Sequence, residues 1–166
     1  MRGPTCIFWA NLTAFSLCQA TTAHWVIDGF EIRNTYSSGI WGNDDRGASA
    51  HHYTIRRCHI HSIGNHVQNT SVGITGFYSG PLSHNMTFTD NVWGPSIGRT
   101  SFGPGCPGPT CFHDPCELPC WSFNLDHAIY SFGKNATVSR NVFFNLSHGW
   151  GVHLLGAGHH EASGAT

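Results

Sequence analysis

The chain has 166 residues, a formal net charge of −1 and charged side chains at only 10% of positions. So weak a charge excludes the basic surface that nucleic-acid binding needs, and no apolar run reaches the ~18 residues of a membrane span. The length predicts one domain, and the 20 glycines and 8 prolines, without a sustained i, i+3, i+4 apolar spacing, exclude a helical fold.

Residues 1–23 do not match the pattern that recurs later in the chain. Arg2 precedes an apolar run from Cys6 to Leu17, and a small residue, Ala20, closes the segment. A basic start, a short apolar region and a small-residue exit are typical of a secretory signal peptide. Polar residues such as Asn11 interrupt the apolar run, so an N-terminal cap on the following domain is the second interpretation, and both stay open.

A unit of short β-rich runs recurs four times between residues 24 and 158. Each copy begins with an apolar run, continues to a second apolar pair, and closes with a small residue followed by a branched one. Such runs, bounded by Gly, Asn and Ser, are typical of strands. The opening runs are Val26-Ile27, Thr54-Ile55, Thr87-Phe88 and Thr137-Val138, and the closing pairs are Gly39-Ile40, Gly73-Ile74, Ala128-Ile129 and Gly151-Val152.

Equivalent strands of successive copies are expected to pair about 4.8 Å apart, so that equivalent side chains form columns. Each copy would then bury its apolar face against its neighbours, as in a solenoid. Asn91 and Asn141 are expected to form an internal asparagine stack at one turn. The two predicted apolar columns are Ile27, Ile55, Phe88 and Val138, and Ile40, Ile74, Ile129 and Val152.

Three of these runs also resemble a known family. Val26-Ile-Asp-Gly-Phe-Glu-Ile-Arg-Asn34, Tyr53-Thr-Ile-Arg-Arg-Cys-His-Ile-His61 and Asn135-Ala-Thr-Val-Ser-Arg-Asn-Val-Phe143 look like repeats of the right-handed parallel β-helix family with the pectin-lyase-like fold. The resemblance implies an all-β, right-handed parallel β-helix over residues 24–158, with a tail at 159–166. That fold carries lyases, hydrolases, epimerases and non-catalytic binders of polysaccharide, so it implies a secreted or cell-envelope protein but no single activity.

Two loops of the predicted solenoid suggest ligands or cross-links. Paired carboxylates at Asp44 and Asp45 could bind Ca²⁺, although a solvated turn is the simpler interpretation. A Pro-rich insertion at residues 98–124 carries four cysteines, which would form two disulfides in an exported protein or bind zinc with His113 in a reducing compartment. These are Cys106, Cys111, Cys116 and Cys120. Cys58, at an inward position, is interpreted as a buried free thiol.

Asp126 and His127 place a carboxylate and an imidazole where the other copies have neither. Beside them, Tyr130 is expected to share an outward column with three side chains of the other copies. Small residues at Gly39, Gly73, Ala128 and Gly151 would leave a shallow trough next to these rings, suited to the apolar faces of sugars. The other members of the column are Trp41, Thr75 and His153.

A second group of polar side chains is expected on the outward face of the second copy. Arg56 and His61 would lie beside the acidic residues Asp28 and Glu31 of the first copy. Such a group could hold a uronate carboxylate, or it could be a surface ladder of opposite charges.

Cleavage of a uronate polymer by β-elimination needs a base for the C5 proton and a cation for the carboxylate. His127 or Tyr130 would be the base, Asp126 would hold His127 in one tautomer, and Arg56 or Lys134 would neutralise the carboxylate. Asp126-His127 is similar to the Asp-Pro-His motif of alginate epimerases and some lyases of this fold, without the proline.

The short chain and the incomplete catalytic set favour a non-catalytic, carbohydrate-contacting or scaffold segment of a larger polysaccharide-active protein. The alternative is a lyase or epimerase acting on an acidic, uronate-containing glycan. The sequence identifies neither the glycan nor the oligomeric state.

Overall fold

The computed structural model describes residues 13–17, 23–42, 51–64, 74–98, 126–147 and 149–155. These residues form strands and no helix, so the predicted all-β class is confirmed for this part of the chain; it therefore contains no helix that could cross a membrane. The strands are β1 (Thr13–Ser16), β2 (Val26–Asp28), β3 (Glu31–Arg33), β4 (Ser38–Gly42), β5 (His51–Arg56), β6 (His59–His61), β7 (Thr75–Ser79), β8 (His84–Thr89), β9 (Val92–Trp93), β10 (His127–Ser131), β11 (Lys134–Ser139), β12 (Val142–Phe143) and β13 (Val152–Leu154).

The strands lie in three sheets whose neighbours are all parallel. Sheet 1 has the order β1-β4-β7-β10-β13, sheet 2 the order β11-β8-β5-β2, and sheet 3 the order β12-β9-β6-β3. From β2 onward the chain therefore enters sheet 2, sheet 3 and sheet 1 in the same order four times. We call each such passage a circuit. The predicted recurrence of one three-strand unit is confirmed.

The chain turns from sheet 2 to sheet 3 through one residue in the left-handed backbone region. That residue is Gly29 in the first circuit, with a φ of 76°, and Arg57 in the second, with a φ of 52°. The Gly29 N–H donates to the Arg56 carbonyl of the next circuit. The left-handed conformation thus lets this N–H keep a backbone partner at the corner. Asp90 and Arg140 repeat the conformation in the third and fourth circuits.

These corner residues also form ion pairs between circuits. Arg57 Nε donates to Asp28 Oδ1 at 2.7 Å, and Arg140 Nε donates to Asp90 Oδ1 at 2.6 Å. The guanidinium of Arg57 holds the pKa of Asp28 below its ordinary value, as Arg140 does for Asp90. The groups are exposed, so their contribution to stability is small. They support the interpretation of this surface as a ladder of opposite charges.

The first predicted apolar column is confirmed, and the second is wrong in one member. Register places Ile27, Ile55, Phe88 and Val138 side by side across sheet 2. In sheet 1, however, Phe77 pairs with both Ile40 and Ile129, and Ile129 pairs with Val152. Ile74 lies three residues before Phe77 and just outside the strand.

Hydrogen bonds from distant parts of the chain select this register. Ser38 Oγ lies 2.9 Å from Thr75 Oγ1, and Ser79 Oγ lies 2.7 Å from Ser131 Oγ, all of them buried. A shift of β7 would leave these hydroxyls without partners in the interior. Ile74 remains fully buried ahead of the strand, where its N–H donates to the Asp126 carboxylate at 2.8 Å.

The predicted asparagine stack and the buried thiol are both confirmed. Asn91 Nδ2 donates to Asn141 Oδ1 at 2.9 Å, and the Cys58 N–H donates to Asn91 Oδ1 at 3.0 Å. Cys58 itself is a buried, free cysteine, and burial raises the pKa of its thiol. The stack therefore connects the corners of three successive circuits.

Several predictions fall on residues outside the described ranges. These include the disulfide or zinc interpretations of Cys106, Cys111, Cys116 and Cys120, the Ca²⁺ interpretation of Asp44 and Asp45, the insertion at 98–124 except Gly98, and the tail at 159–166. Of the segment 1–23, the residues of β1 pair with β4 at the edge of sheet 1.

Candidate functional site

Sheet 1 carries a row of ring side chains at one position of four consecutive strands. Register aligns Trp41, Tyr78, Tyr130 and His153. The centroids of neighbouring rings lie 4.3, 5.9 and 4.9 Å apart along this row, and the first two rings stack. Trp41, Tyr78 and His153 are partly exposed, whereas Tyr130 is 9% exposed. We call these four residues the aromatic ladder.

The aromatic ladder contains three of the four residues that the sequence placed there. Thr75 is not among them, because the register of β7 differs by three residues from the predicted one and puts Tyr78 in its place. Thr75 is 1% exposed and bonds to Ser38 inside the protein. The missed Tyr78 had a signal in the sequence, since Gly76-Phe77-Tyr78 repeats the small–apolar–aromatic order of Gly39-Ile40-Trp41.

The small residues beside the aromatic ladder do not form the predicted trough. Register aligns Gly39, Gly76, Ala128 and Gly151, whereas Gly73 lies outside the described residues. A Cβ on Gly39 would lie 2.6 Å from the Gly76 carbonyl oxygen and 3.2 Å from the Ile60 side chain. One on Gly76 would lie 2.7 Å from the Ala128 carbonyl oxygen and 2.9 Å from the Trp93 ring. The small residues therefore avoid clashes with the backbone of the neighbouring strands of sheet 1 and with the interior side chains of sheet 3.

Asp126 and His127 lie inside the protein, at 0% and 1% exposure, so the expectation that they share the outer surface is wrong. His127 Nδ1 accepts the backbone N–H of Trp150 at 2.9 Å. Only an unprotonated nitrogen can accept, so the proton lies on Nε2, which donates to His153 Nδ1 at 2.9 Å. The backbone N–H of Trp150 thus sets the tautomer of His127, and His127 in turn holds the His153 ring of the aromatic ladder through a hydrogen bond.

The other residues proposed for catalysis lie on different sheets. Arg56 is on sheet 2, where its Nη2 lies 2.9 Å from Asp28 Oδ2. Lys134 begins β11 of the same sheet, and His61 lies on sheet 3 in contact with Glu31. The structure therefore brings His127, Asp126 and Tyr130 together with Trp41 and His153 along sheet 1, without the proposed cations. Burial also raises the pKa of Tyr130, which disfavours its phenolate as a base.

The stability of the aromatic ladder is expected to depend on pH through His153. Burial lowers the pKa of His153 below its ordinary value of 6.5. The unfolded chain then binds a proton more readily than the folded one, so the free energy of unfolding should fall as pH drops from 6.5 toward the folded pKa. His153→Gln should flatten this slope in urea unfolding between about pH 7.5 and 5.5. The exposed-histidine control His24→Gln should keep it, and an unchanged slope in His153→Gln would contradict the assignment.

Comparison with known proteins gives no further information on this site. No protein-family model, no curated protein and no solved structure matches the chain. The functional argument therefore depends on the geometry of sheet 1 and on the chemistry of its exposed side chains.

Proposed function

We propose that the chain is a right-handed parallel β-helix segment that binds polysaccharide along the aromatic ladder without cleaving it. The alignment of four rings on adjacent parallel strands carries this proposal. Tyr and Trp side chains combine an apolar body with a polar tip. A row of them suits a polymer whose sugar residues each present both C–H faces and hydroxyl groups.

The side chains of the aromatic ladder include no carboxylate, ammonium or guanidinium group. Binding through these rings would be governed by contact and hydrogen bonding rather than by charge. Affinity should therefore change little between low and high salt, since screening acts on charged pairs. A polysaccharide partner is also what motivates the proposed secreted or cell-envelope location.

The geometry favours binding over the alternative of β-elimination. Both nitrogens of His127 are engaged in hydrogen bonds within the protein, and the ring is 1% exposed. Arg56 is paired with Asp28 on another sheet. A base must reach the proton that it abstracts, and a cation must lie near the developing charge.

Replacing Trp41 or Tyr78 with alanine should weaken polysaccharide binding about tenfold, the equivalent of about 1.4 kcal/mol, because each change removes one stacking surface. Affinity electrophoresis and calorimetry against soluble neutral and uronate polysaccharides would measure the change. Trp25→Ala is the matched control, since Trp25 is 55% exposed and lies outside the ladder, just before β2.

Equal affinity in all three variants and the parent chain would overturn the proposal. Release of unsaturated uronate products by the parent chain, lost in His127→Ala, would instead establish the lyase alternative. Absorbance of the product double bond distinguishes these outcomes in the same samples.

A further inference from the structure

Sheet 3 carries a second group of polar side chains, separate from the aromatic ladder. Strands β3 and β6 pair so that Glu31 lies opposite His59, and Arg33 lies opposite His61. One ligand atom from each of Glu31, His59 and His61 lies within 4.8 Å of the other two. We propose that these three side chains bind a divalent ion of the zinc class.

The spacing of the ligand atoms is close to what such an ion requires. His61 Nε2 already lies 3.0 Å from Glu31 Oε1, and two donors at ~2.0–2.2 Å from a tetrahedral zinc are ~3.3 Å apart. His59 and His61 are alternate residues of one strand, so their side chains lie on the same face. His59 is partly exposed, and its ligand atom lies within 4.8 Å of the other two, so a small movement of this side chain would bring it to the ~3.3 Å separation of zinc ligands.

Each imidazole has a partner that holds its other nitrogen. His59 Nε2 lies 2.8 Å from the Gly94 carbonyl oxygen, which only an N–H can engage, so Nδ1 of the neutral ring has a free lone pair. His61 Nδ1 lies 3.0 Å from Ser62 Oγ, which can accept its proton when Nε2 binds the ion. Metal-binding histidines usually have such partners, which fix the ring and its tautomer.

The charges around the site affect its affinity in opposite directions. The hydrogen bond from His61, together with the charge of Arg33, holds the pKa of Glu31 below its ordinary value, so the carboxylate is anionic at neutral pH. The guanidinium of Arg33 lies 3.7 Å from the same carboxylate and would repel a cation bound there.

The donor set also selects the ion. Two imidazoles and one carboxylate suit Zn²⁺, Co²⁺ or Ni²⁺, whereas Ca²⁺ and Mg²⁺ prefer sites made of oxygen atoms. Three protein ligands leave a coordination position for water.

Among the described residues, a second cluster also brings one ligand atom from each member within 4.8 Å of the others: His51, His52 and His84. There Nδ1 of His51 and Nδ1 of His52 lie 2.9 Å apart and bond to each other. The Asn85 amide contacts Nε2 of His52 and Nδ1 of His84. This cluster offers no anionic ligand, so Glu31, His59 and His61 are the better site for a divalent ion.

Zinc uptake by the 166-residue chain tests the proposal. The experiment uses Zn²⁺ alone as the probe and a His84→Gln background, which disables the second cluster. Adding His61→Gln or Glu31→Gln should remove one bound zinc equivalent, or weaken that site at least ~10–100-fold. Adding Arg33→Gln should instead tighten it severalfold, because the repulsive charge is gone. Ca²⁺ should not compete.

Fold controls keep the result interpretable. Glu31 and Arg33 have side chains 54% and 56% exposed. Their glutamine variants should therefore have the same unfolding temperature as the His84→Gln background when zinc is absent. Trp41→Ala should leave zinc uptake unchanged, which separates this site from the proposed polysaccharide face. Identical zinc affinity in the background, Glu31→Gln and Arg33→Gln would overturn the proposal.

Discussion

Replacing Asn91 with alanine should lower the free energy of unfolding by about 2–5 kcal/mol, because it removes the side-chain hydrogen bonds to two buried backbone groups. Asn91 is 0% exposed. Its Oδ1 accepts the Cys58 N–H at 3.0 Å, and its Nδ2 donates to the Ile55 carbonyl at 2.9 Å and to Asn141 Oδ1 at 2.9 Å. Alanine restores none of these bonds and opens a polar cavity at the corner between sheets 2 and 3.

Urea unfolding followed by circular dichroism would measure the Asn91→Ala effect. The matched control is Asn135→Gly, which removes an exposed asparagine bonded to Asn85 Oδ1 at 3.1 Å. Glycine tolerates the φ of 54° at position 135, so the control should lose less than about 1 kcal/mol. A loss of similar size in both variants would show that the buried stack contributes no more than a surface contact.

The register of sheets 2 and 3 could be predicted from the sequence because the turn between them has constant length. Five positions separate Ile27 from Ile32, Ile55 from Ile60, and Phe88 from Trp93. Each of these intervals contains a left-handed corner residue at the same position. Aligning the inward residues of sheet 2 between circuits therefore also aligns the inward residues of sheet 3. Val138 and Phe143 repeat the interval in the fourth circuit.

Sheet 1 could not be aligned in this way because the connections that lead into it differ in length between circuits. Gly73-Ile74 and Gly76-Phe77 are both small–apolar pairs, and in the sequence only the aromatic Tyr78 that follows the second pair distinguishes them. The choice depends on the buried contact of Thr75 with Ser38 and on the bond from the Ile74 N–H to Asp126. Both partners are distant in the sequence, so these two contacts exist only in the assembled fold.

The same limit applies to the chemistry proposed for Asp126 and His127. An Asp-His pair looks the same in the sequence whether its side chains face a substrate or bond to the protein backbone. Here Asp126 accepts the Ile74 N–H, and His127 accepts the Trp150 N–H and also bonds to His153. The residue types do not reveal that the pair bonds to the backbone of neighbouring segments. Only the burial of the two side chains and these hydrogen bonds show it.

The largest loss of stability is expected for Trp93→Ala. Trp93 is 0% exposed, and its ring stacks on Phe143 with centroids 6.1 Å apart and meets the edge of Phe88 at 6.4 Å. Its Nε1 donates to Asn141 Oδ1 at 3.2 Å. Truncating a buried tryptophan costs about 3–5 kcal/mol through lost transfer energy and the cavity that remains.

This cavity would form where Gly76 of sheet 1 packs against Trp93 of sheet 3. Because a Cβ on Gly76 would lie 2.9 Å from the Trp93 ring, Gly76→Ala in the Trp93→Ala background should cost less than Gly76→Ala alone. The double-mutant cycle should therefore show coupling of about 0.5–3 kcal/mol by urea unfolding. Trp25→Ala, at an exposed site, should change stability by about 0.5 kcal/mol or less and show no coupling. Additive effects of Gly76→Ala and Trp93→Ala would mean that these two residues do not share one packed interface.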